Sequence, residues 1–354
     1  MTERIAVLTV AVVGILGFRA EGAAPKGKAL EPSPEEAEAL KSLAGVDARI
    51  VWSTSRESGL HDIFIMNADG SGIRALTRSE HTDWFARFSP DGRKVIFVRS
   101  KQPWEPEMNS KLAERWDIFI VGSDGEGERK LVSDACWGTW CDGGAKVLFA
   151  RGTKAYTYEV ATGAEALVLD GDAALKRGAM LQQPQMSPDG NYVAITLRGS
   201  MRETGIWDIR NKTWNTVGGG CQINWFPSGD RILRMNESTG RGGTEVFAMA
   251  VKDGALVAPK APYEELRFVD LPGSYSHEYF PVVSADGKWL VWCATARGHE
   301  HDRYDYEVFL WRIGRPAEEA VRLTFHSGND RWPDICVPGE RKADAPGAGK
   351  PAGE

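Results

Sequence analysis

The feature that most constrains this chain is a repeated pattern of strand, tight turn and strand. It reads WFARFSPDGRKVIF at 84–97, QQPQMSPDGNYVAI at 182–195 and YFPVVSADGKWLVW at 279–292. Weaker copies are CWGTWCDGGAKVLF at 136–149 and CQINWFPSGDRILR at 221–234. Gly in each turn supplies the positive φ that a tight hairpin needs. A second element has the same character: DIFIMNADGSGIRALT at 62–77, WDIFIVGSDGEGERKLV at 116–132 and YEVFLWRIGRPAEEAVRLT at 306–324. Alternation of Ile, Phe, Val and Trp with polar residues marks these as strands rather than helices.

One full unit is therefore four antiparallel strands, A to D. The A–B turns fall near residues 91, 143, 189, 229 and 286, a spacing suited to propeller blades of about 40–50 residues. Residues 49–77 supply strands B, C and D without a strand A, and WPDICV at 332–337 resembles a strand A with nothing after it. Phe85, Phe280 and Trp332 occupy matching positions, as do Ser89, Ser284 and Cys336. The expected fold is all-β: a six-bladed β-propeller of four-stranded antiparallel blades over 49–337, its first blade closed by the C-terminal strand. Closure protects sheet edges that would otherwise be open to another chain.

Residues 5–18 (IAVLTVAVVGILGF) form an apolar run shorter than the roughly 20 residues a membrane-spanning helix needs. Small residues follow it, which suits a signal peptide over 1–22 cut after Gly22; an uncleaved anchor is the alternative. Residues 23–48 are expected to be a linker with a short helix, and 338–354, rich in Pro, Gly and Ala, a disordered tail. The expected location is periplasmic or secreted. The net charge of −6 argues against binding duplex nucleic acid, which calls for a basic footprint. Five cysteines in 354 residues are no disulfide framework. Cys136 and Cys141 lie at opposite ends of one strand, about 16 Å apart at 3.3 Å per residue, too far to bridge. Buried free thiols are the expectation.

At DIFIMNADGSGIRALT followed by FSPDGRKVIF, the sequence resembles the TolB-type propeller repeat, a relative of WD-type repeats. The resemblance covers about four fifths of the chain, without the α/β domain that TolB proteins carry ahead of their propeller. It implies an exported binding propeller and transfers no catalytic residue.

Mapped on this register, all six histidines fall on the face formed by B–C loops and D-to-A connections. His61 lies in the first B–C loop, His81 between blades 1 and 2, His277 at the entry to blade 6, His299 and His301 in its B–C loop, and His326 in the return to blade 1. Asp83, Glu278 and Asp330 hold equivalent positions two residues before the strand A aromatic, and Asp302, Asp305 and Glu307 follow the blade 6 histidines. The plain reading is that His and Asp cap polar loops. The sharper one is a ligand site made of His81, Asp83, His277, Glu278, His299, His301, His326 and Asp330. Within it, His81, His277 and His326 are candidate ligands for a divalent metal.

The longest insertion, SKQPWEPEMNSKLAERW at 100–116, opens on the same face. Its Trp104 either binds a ligand or packs the loop. Arg241, Arg297 and Arg303 are candidate carboxylate clamps. The absence of a Gly-x-Ser-x-Gly elbow and of a phosphate loop leaves no catalytic residue to name. The expected function is non-enzymatic binding of an envelope protein, a peptide segment or a small ligand by a monomer. The alternative is a metal-dependent lyase or hydrolase acting on an acidic saccharide.

Overall fold

In each turn of the Ser-x-Asp-Gly type, one side chain network fixes the hairpin. Ser89 Oγ donates to Asp91 Oδ1 at 2.6 Å and accepts from the Lys94 amide at 2.9 Å. Ser187 with Asp189, and Ser284 with Asp286, repeat this geometry. Gly92, Gly190 and Gly287 follow with φ of 67°, 75° and 71°, a region open to glycine without a Cβ clash.

The computed structural model describes residues 27–237, 244–257, 267–271, 273–298 and 300–338. The apolar N-terminal run, Arg241, His299 and the tail beyond 338 lie outside the described residues. Strands run in chain order as β1 (Arg49–Thr54), β2 (Asp62–Asn67), β3 (Arg74–Ala75), β4 (Asp83–Phe88), β5 (Lys94–Ser100), β6 (Trp116–Gly122) and β7 (Arg129–Ser133). Next come β8 (Cys136–Cys141), β9 (Lys146–Arg151), β10 (Lys154–Glu159), β11 (Glu165–Asp170), β12 (Ala179–Met186), β13 (Tyr192–Gly199), β14 (Thr204–Asp208) and β15 (Thr213–Gly218). The last are β16 (Cys221–Trp225), β17 (Arg231–Glu237), β18 (Thr244–Lys252), β19 (Ala255–Leu256), β20 (Arg267–Val269), β21 (His277–Val283), β22 (Trp289–Thr295), β23 (Glu307–Arg312), β24 (Val321–Arg322) and β25 (Asp330–Cys336).

Four sheets are separate and four-stranded: β25-β1-β2-β3, β4-β5-β6-β7, β8-β9-β10-β11 and β12-β13-β14-β15. The first joins the C-terminal strand to β1, as the sequence required. A nine-stranded sheet takes the place of two further separate blades. Its halves, β16 to β20 and β21 to β24, are joined by a single parallel pair, Thr244 with His277. Within each blade the pairing is antiparallel.

The innermost strands share one backbone irregularity. Phe85, Trp137, Gln183, Gln222, Phe280 and Trp332 all have φ between 52° and 61°. A register shift accompanies each of them in the pairing with the next strand. Left-handed backbone costs a non-glycine residue roughly 1–2 kcal/mol. Six occurrences at one position mark a bulge built into the repeat, one that turns these side chains toward the axis. Phe280 stacks on Trp332 with centroids 3.6 Å apart, and Phe85 packs edge-on against Trp332 and Trp137 at 5.1 and 4.9 Å. Opposite the aromatics, Gln222 Oε1 accepts from the Phe280 amide at 2.5 Å. The axis is filled, with a residual void of about 10 Å³ bordered by Phe85, Arg87, Gln183, Gln222, Phe280 and Trp332.

Strand B aromatics pack as core. Trp52, Phe97, Phe149 and Trp292 are buried and face Phe64, Phe119, Tyr156 and Phe309 across the ladder. A guanidinium covers several of these pairs, Arg99 lying 5.2 Å from the Phe97 ring and 4.6 Å from Phe119. Another repeat feature is a carboxylate opening strand C. Asp62 and Asp117 accept amides of the following connection, from Ser79 and Asp134. Glu307 binds Arg322 and Thr324.

The expected short helix is α1 (Pro34–Ser42), started by a reciprocal capping box between Ser33 and Glu36. Ahead of it, residues 28–30 run against 325–327 through Leu30 N to Phe325 O and Ser327 N to Lys28 O. No helix among the described residues is long and apolar enough to cross a membrane. All five cysteines are free thiols, and all except Cys221 are buried.

Candidate functional site

The insertion between β5 and β6 covers one end of the axis. Its base is closed by Lys101 N donating to Arg115 O at 2.9 Å. Two short 3-10 turns, Glu107–Lys111 and Ala113–Arg115, follow Pro103 and Pro106. Arising in the second sheet, the loop reaches across to three others. Ser110 Oγ accepts from Gln182 Nε2 on β12 at 3.0 Å, and Glu107 N donates to Asp302 Oδ2 after β22 at 3.1 Å. Arg331 on β25 donates through Nη1 to Glu107 Oε2 at 3.0 Å and through Nη2 to Asp302 Oδ1 at 2.9 Å. A loop from one blade that touches β12, β25 and the β22–β23 connection must cross the axis.

The residue preceding each left-handed position forms the layer beneath this loop: Trp84, Cys136, Gln182, Cys221, Tyr279 and Arg331. Arg331 is the charged member, and it is 2% exposed. Glu107 brings the opposing charge. His301 Nδ1 lies 3.2 Å from both Glu107 oxygens, its ring wedged against Tyr279, Phe280 and Tyr306 at 4.6, 5.0 and 6.0 Å. Burial alone would raise the Glu107 carboxyl. His301, Arg331 and the Trp332 indole outweigh it and hold the group below the ordinary carboxylate range. The same negative charge adds to burial in pushing Cys221 up to about 11 and in raising Tyr279.

The expected site residues are distributed over separate local networks. Asp83 is fully buried and held by Arg99 through two bonds of 2.6 and 2.7 Å. Asp330, also fully buried, accepts from Trp52 Nε1 at 3.0 Å and from Arg56. Glu278 accepts from the Leu271 amide at 2.7 Å, while its Oε2 has no hydrogen-bond partner among the described residues. The cross-strand neighbour of Asp83 is Arg99, that of Glu278 is Ala294, so the same repeat position is an ion pair in one blade and a buried acid in another. Burial pushes Glu278 up to about 8. Asp305 rises to about 7 through burial and then through Asp330.

The metal expectation for His81, His277 and His326 does not correspond to a gathered cluster. Among the described residues, no group of three or more His, Cys, Asp and Glu side chains is placed to hold a metal ion. His326 Nδ1 accepts from the Gly328 amide at 3.0 Å, and its backbone bridges to Ala29 of the N-terminal segment. Gly27 sits so close that a Cβ there would come within 2.3 Å of the imidazole. His277 lies at the seam of the nine-stranded sheet beside Ser276. His81 caps the connection to β4 through its amide to Ser79 Oγ. Of the two remaining basic candidates, Arg303 is exposed and pairs with Glu300 at 3.1 Å, and the Arg297 amide donates to Thr295 Oγ1. Trp104 is half-buried in the insertion.

The structure thus brings His301 into a site and adds two residues that sequence reasoning missed, Glu107 and Arg331. A signal for Arg331 was present: it alone carries charge at the position before the left-handed residue, so its side chain had to meet a counter-charge near the axis. Glu107 gave no such signal, because the loop's path over the axis is set by tertiary contacts. His61 adjoins the cluster. It is bonded to Ser53 at 2.9 Å, and its pKa falls far below the ordinary value through burial and then the nearby Arg331 charge. A larger cavity, about 210 Å³, lies beside the β12–β13 and β16–β17 turns, bordered by Asp189, Tyr192, Trp225 and Asp253. None of the candidate histidines borders it.

Comparison with solved structures places this architecture. TolB from Acinetobacter baumannii superposes with a TM-score of 0.59 at 15% identity, over 84% of this chain and 70% of that one. A TolB candidate from Agrobacterium tumefaciens superposes with a TM-score of 0.51 at 13% identity, over 80% of this chain and 98% of its own. The fold is a TolB-like propeller. At these identities the likeness is one of fold. No family model matches the sequence. A curated relative, the uncharacterised protein Atu1656 of Agrobacterium fabrum, is 38% identical over 52 residues. That match spans 15% of this TolB-like chain and 18% of the relative's length.

Proposed function

We propose that this chain is an exported, non-enzymatic, six-bladed TolB-like propeller that binds a segment of another protein at the end of its axis carrying residues 101–115, His301 and Arg331. The observation that carries this reading is the construction of that end. A loop of the chain itself lies across it with one carboxylate buried among basic and aromatic side chains. Such a surface is suited to holding an extended segment. The six-blade count is supported by the six left-handed axial residues, two of which, Gln222 and Phe280, lie in the two halves of the nine-stranded sheet. Export is supported by the apolar run at 5–18.

Metal content decides between this reading and a metal-dependent enzyme acting on an acidic saccharide. Elemental mass spectrometry on protein purified without a His-tag or chelator is expected to find no stoichiometric transition metal. About one ion per chain, lost in a His277→Ala/His326→Ala variant, would overturn the binding reading and justify a screen of acidic saccharides.

A further inference from the structure

The Glu107 contact has features that a simple interblade ion pair does not need. Arg331 is almost wholly buried beneath the loop, and its place on β25 keeps it at the axial end. The pocket also offers more donors than Glu107 uses. Arg331 Nε is buried without a hydrogen-bond partner among the described residues. The Trp332 indole lies near enough to lower the Glu107 pKa, yet its Nε1 makes no hydrogen bond of good geometry among the described residues. Buried donors left unpaired are destabilising, and native proteins satisfy the great majority of them. A pocket with spare N–H groups around a carboxylate can accept a larger or differently angled acid than the one now in it.

The occupant is presented in a way that permits exchange. The β5–β6 ladder ends at Ser100 with Trp116, and Lys101 N to Arg115 O closes the loop just beyond it. Lifting residues 102–114 therefore breaks no strand pairing. Apart from the Glu107 contacts, the loop is held to the blades by four side-chain bonds among the described residues: Ser100 Oγ to Gln102 O, Thr82 to Pro103 O, Gln182 to Ser110, and Trp116 Nε1 to Asn109 O. Met108, next to the buried carboxylate, is 71% exposed.

We propose that Arg331, His301 and Trp332 form a carboxylate-recognition pocket for an acidic segment of a partner protein, and that Glu107 on the 101–115 loop is its tethered internal occupant. This rests on the binding-propeller reading above. A partner carboxylate would take two N–H bonds from the Arg331 and His301 side chains while the loop lifts away. Because a tethered group competes at an effective concentration of order millimolar, the free protein would bind such segments weakly, and removing the tethered acid would unmask the pocket.

The test is chemical rescue. In Glu107→Ala the pocket is vacant, so sodium formate should raise the thermal midpoint saturably and beyond sodium chloride at equal ionic strength. Wild type and Glu107→Gln should respond to the two salts alike. A folded Glu107→Ala variant with no formate-specific response overturns the proposal. If that variant does not fold alone, refolding in formate against chloride is the readout: recovery in formate supports the pocket, and equal failure in both overturns it. A second arm uses the acetylated, amidated peptide of residues 104–110, WEPEMNS. It should bind Glu107→Ala at least ten-fold more tightly than wild type, and its double Glu→Gln version should not bind. Rescue by formate without peptide binding would confine the pocket to small acids and overturn the protein-segment half of the proposal. A negative formate arm leaves the binding reading to be judged by metal content.

Discussion

Glu107 and Arg331, 224 positions apart in the chain, meet at 3.0 Å between Oε2 and Nη1 over the filled axis of the propeller. The pair ties a loop from the second sheet to the strand that closes the first. Arg331 is 2% exposed at its side chain and Glu107 13%. Removing Glu107 leaves Arg331 with Asp302 as its remaining counter-charge, at a cost of up to about 3–5 kcal/mol. Glu107→Ala should lose stability of that order in urea denaturation. The double variant Glu107→Met/Arg331→Met should recover part of it, since the apolar pair needs no ion desolvation but leaves Asp302 without its Arg331 partner.

Glu278 gives a pH signature with a definite sign. Its carboxyl rises to about 8 in the folded chain through burial, against an ordinary value of 4.5. Between those pH values the folded state holds a proton that the unfolded state has lost, so stability falls as pH rises through the window and levels off above it. Glu278→Gln removes this dependence. The variant should gain on wild type steadily from pH 5 to pH 8, by on the order of a few kcal/mol at the upper end, and no further above it. Paired denaturation curves at pH 5, 6.5, 8 and 9 read it directly. A difference independent of pH would show that Glu278 is ionised in the folded chain.

Gln222 and Gln183 are the polar members of the axial filling, and Gln222 is the one bonded to a backbone amide of the next innermost strand. Its Oε1 accepts from the Phe280 amide at 2.5 Å, linking the two innermost strands of the nine-stranded sheet. Gln222→Met keeps the length of the side chain and removes the acceptor. With the Phe280 N–H left buried and unpaired, the expected loss is about 1–3 kcal/mol. Gln222→Glu, which retains an acceptor, should cost less at a pH where its carboxyl is protonated.

The closing strand sets a boundary for truncation. β25 pairs with β1 from Asp330 to Cys336 and places Arg331 and Trp332 at the axis. Ending the chain after Asn329 would expose the β1 edge and remove the Phe280–Trp332 stack, so that product should aggregate or lack a cooperative thermal transition. Ending it after Pro338 should leave the midpoint within about a degree of the full chain.

Most of the fold was legible in the sequence, for a physical reason. Each blade's hairpin is specified locally, by Ser-x-Asp-Gly turns whose side chains bond their own backbone and by period-2 apolar strands. Phe85, Phe280 and Trp332 aligned by sequence because each follows a carboxylate by two residues; the structure adds that all three share a left-handed backbone. Two features were not legible. The seam Thr244–His277 joins two antiparallel halves into one nine-stranded sheet through a single parallel pair. The histidines were mapped to one face, yet a face spans several blades: the His326 ring is taken up by the Gly328 amide, and His81 meets Ser79 only through its backbone. What converges is set by the path of the 101–115 loop, which no local pattern encodes.

The account stands on the claim that the axial end binds an acidic protein segment in competition with Glu107. The most direct measurement is selection of a random heptapeptide display library on immobilised Glu107→Ala protein, followed by titration of the selected peptides against three proteins. The account predicts sequences enriched in Asp and Glu that bind Glu107→Ala, bind wild type at least ten-fold more weakly, and do not bind Glu107→Met/Arg331→Met. Selected peptides without acidic enrichment, or equal binding to the Arg331 variant, would contradict it.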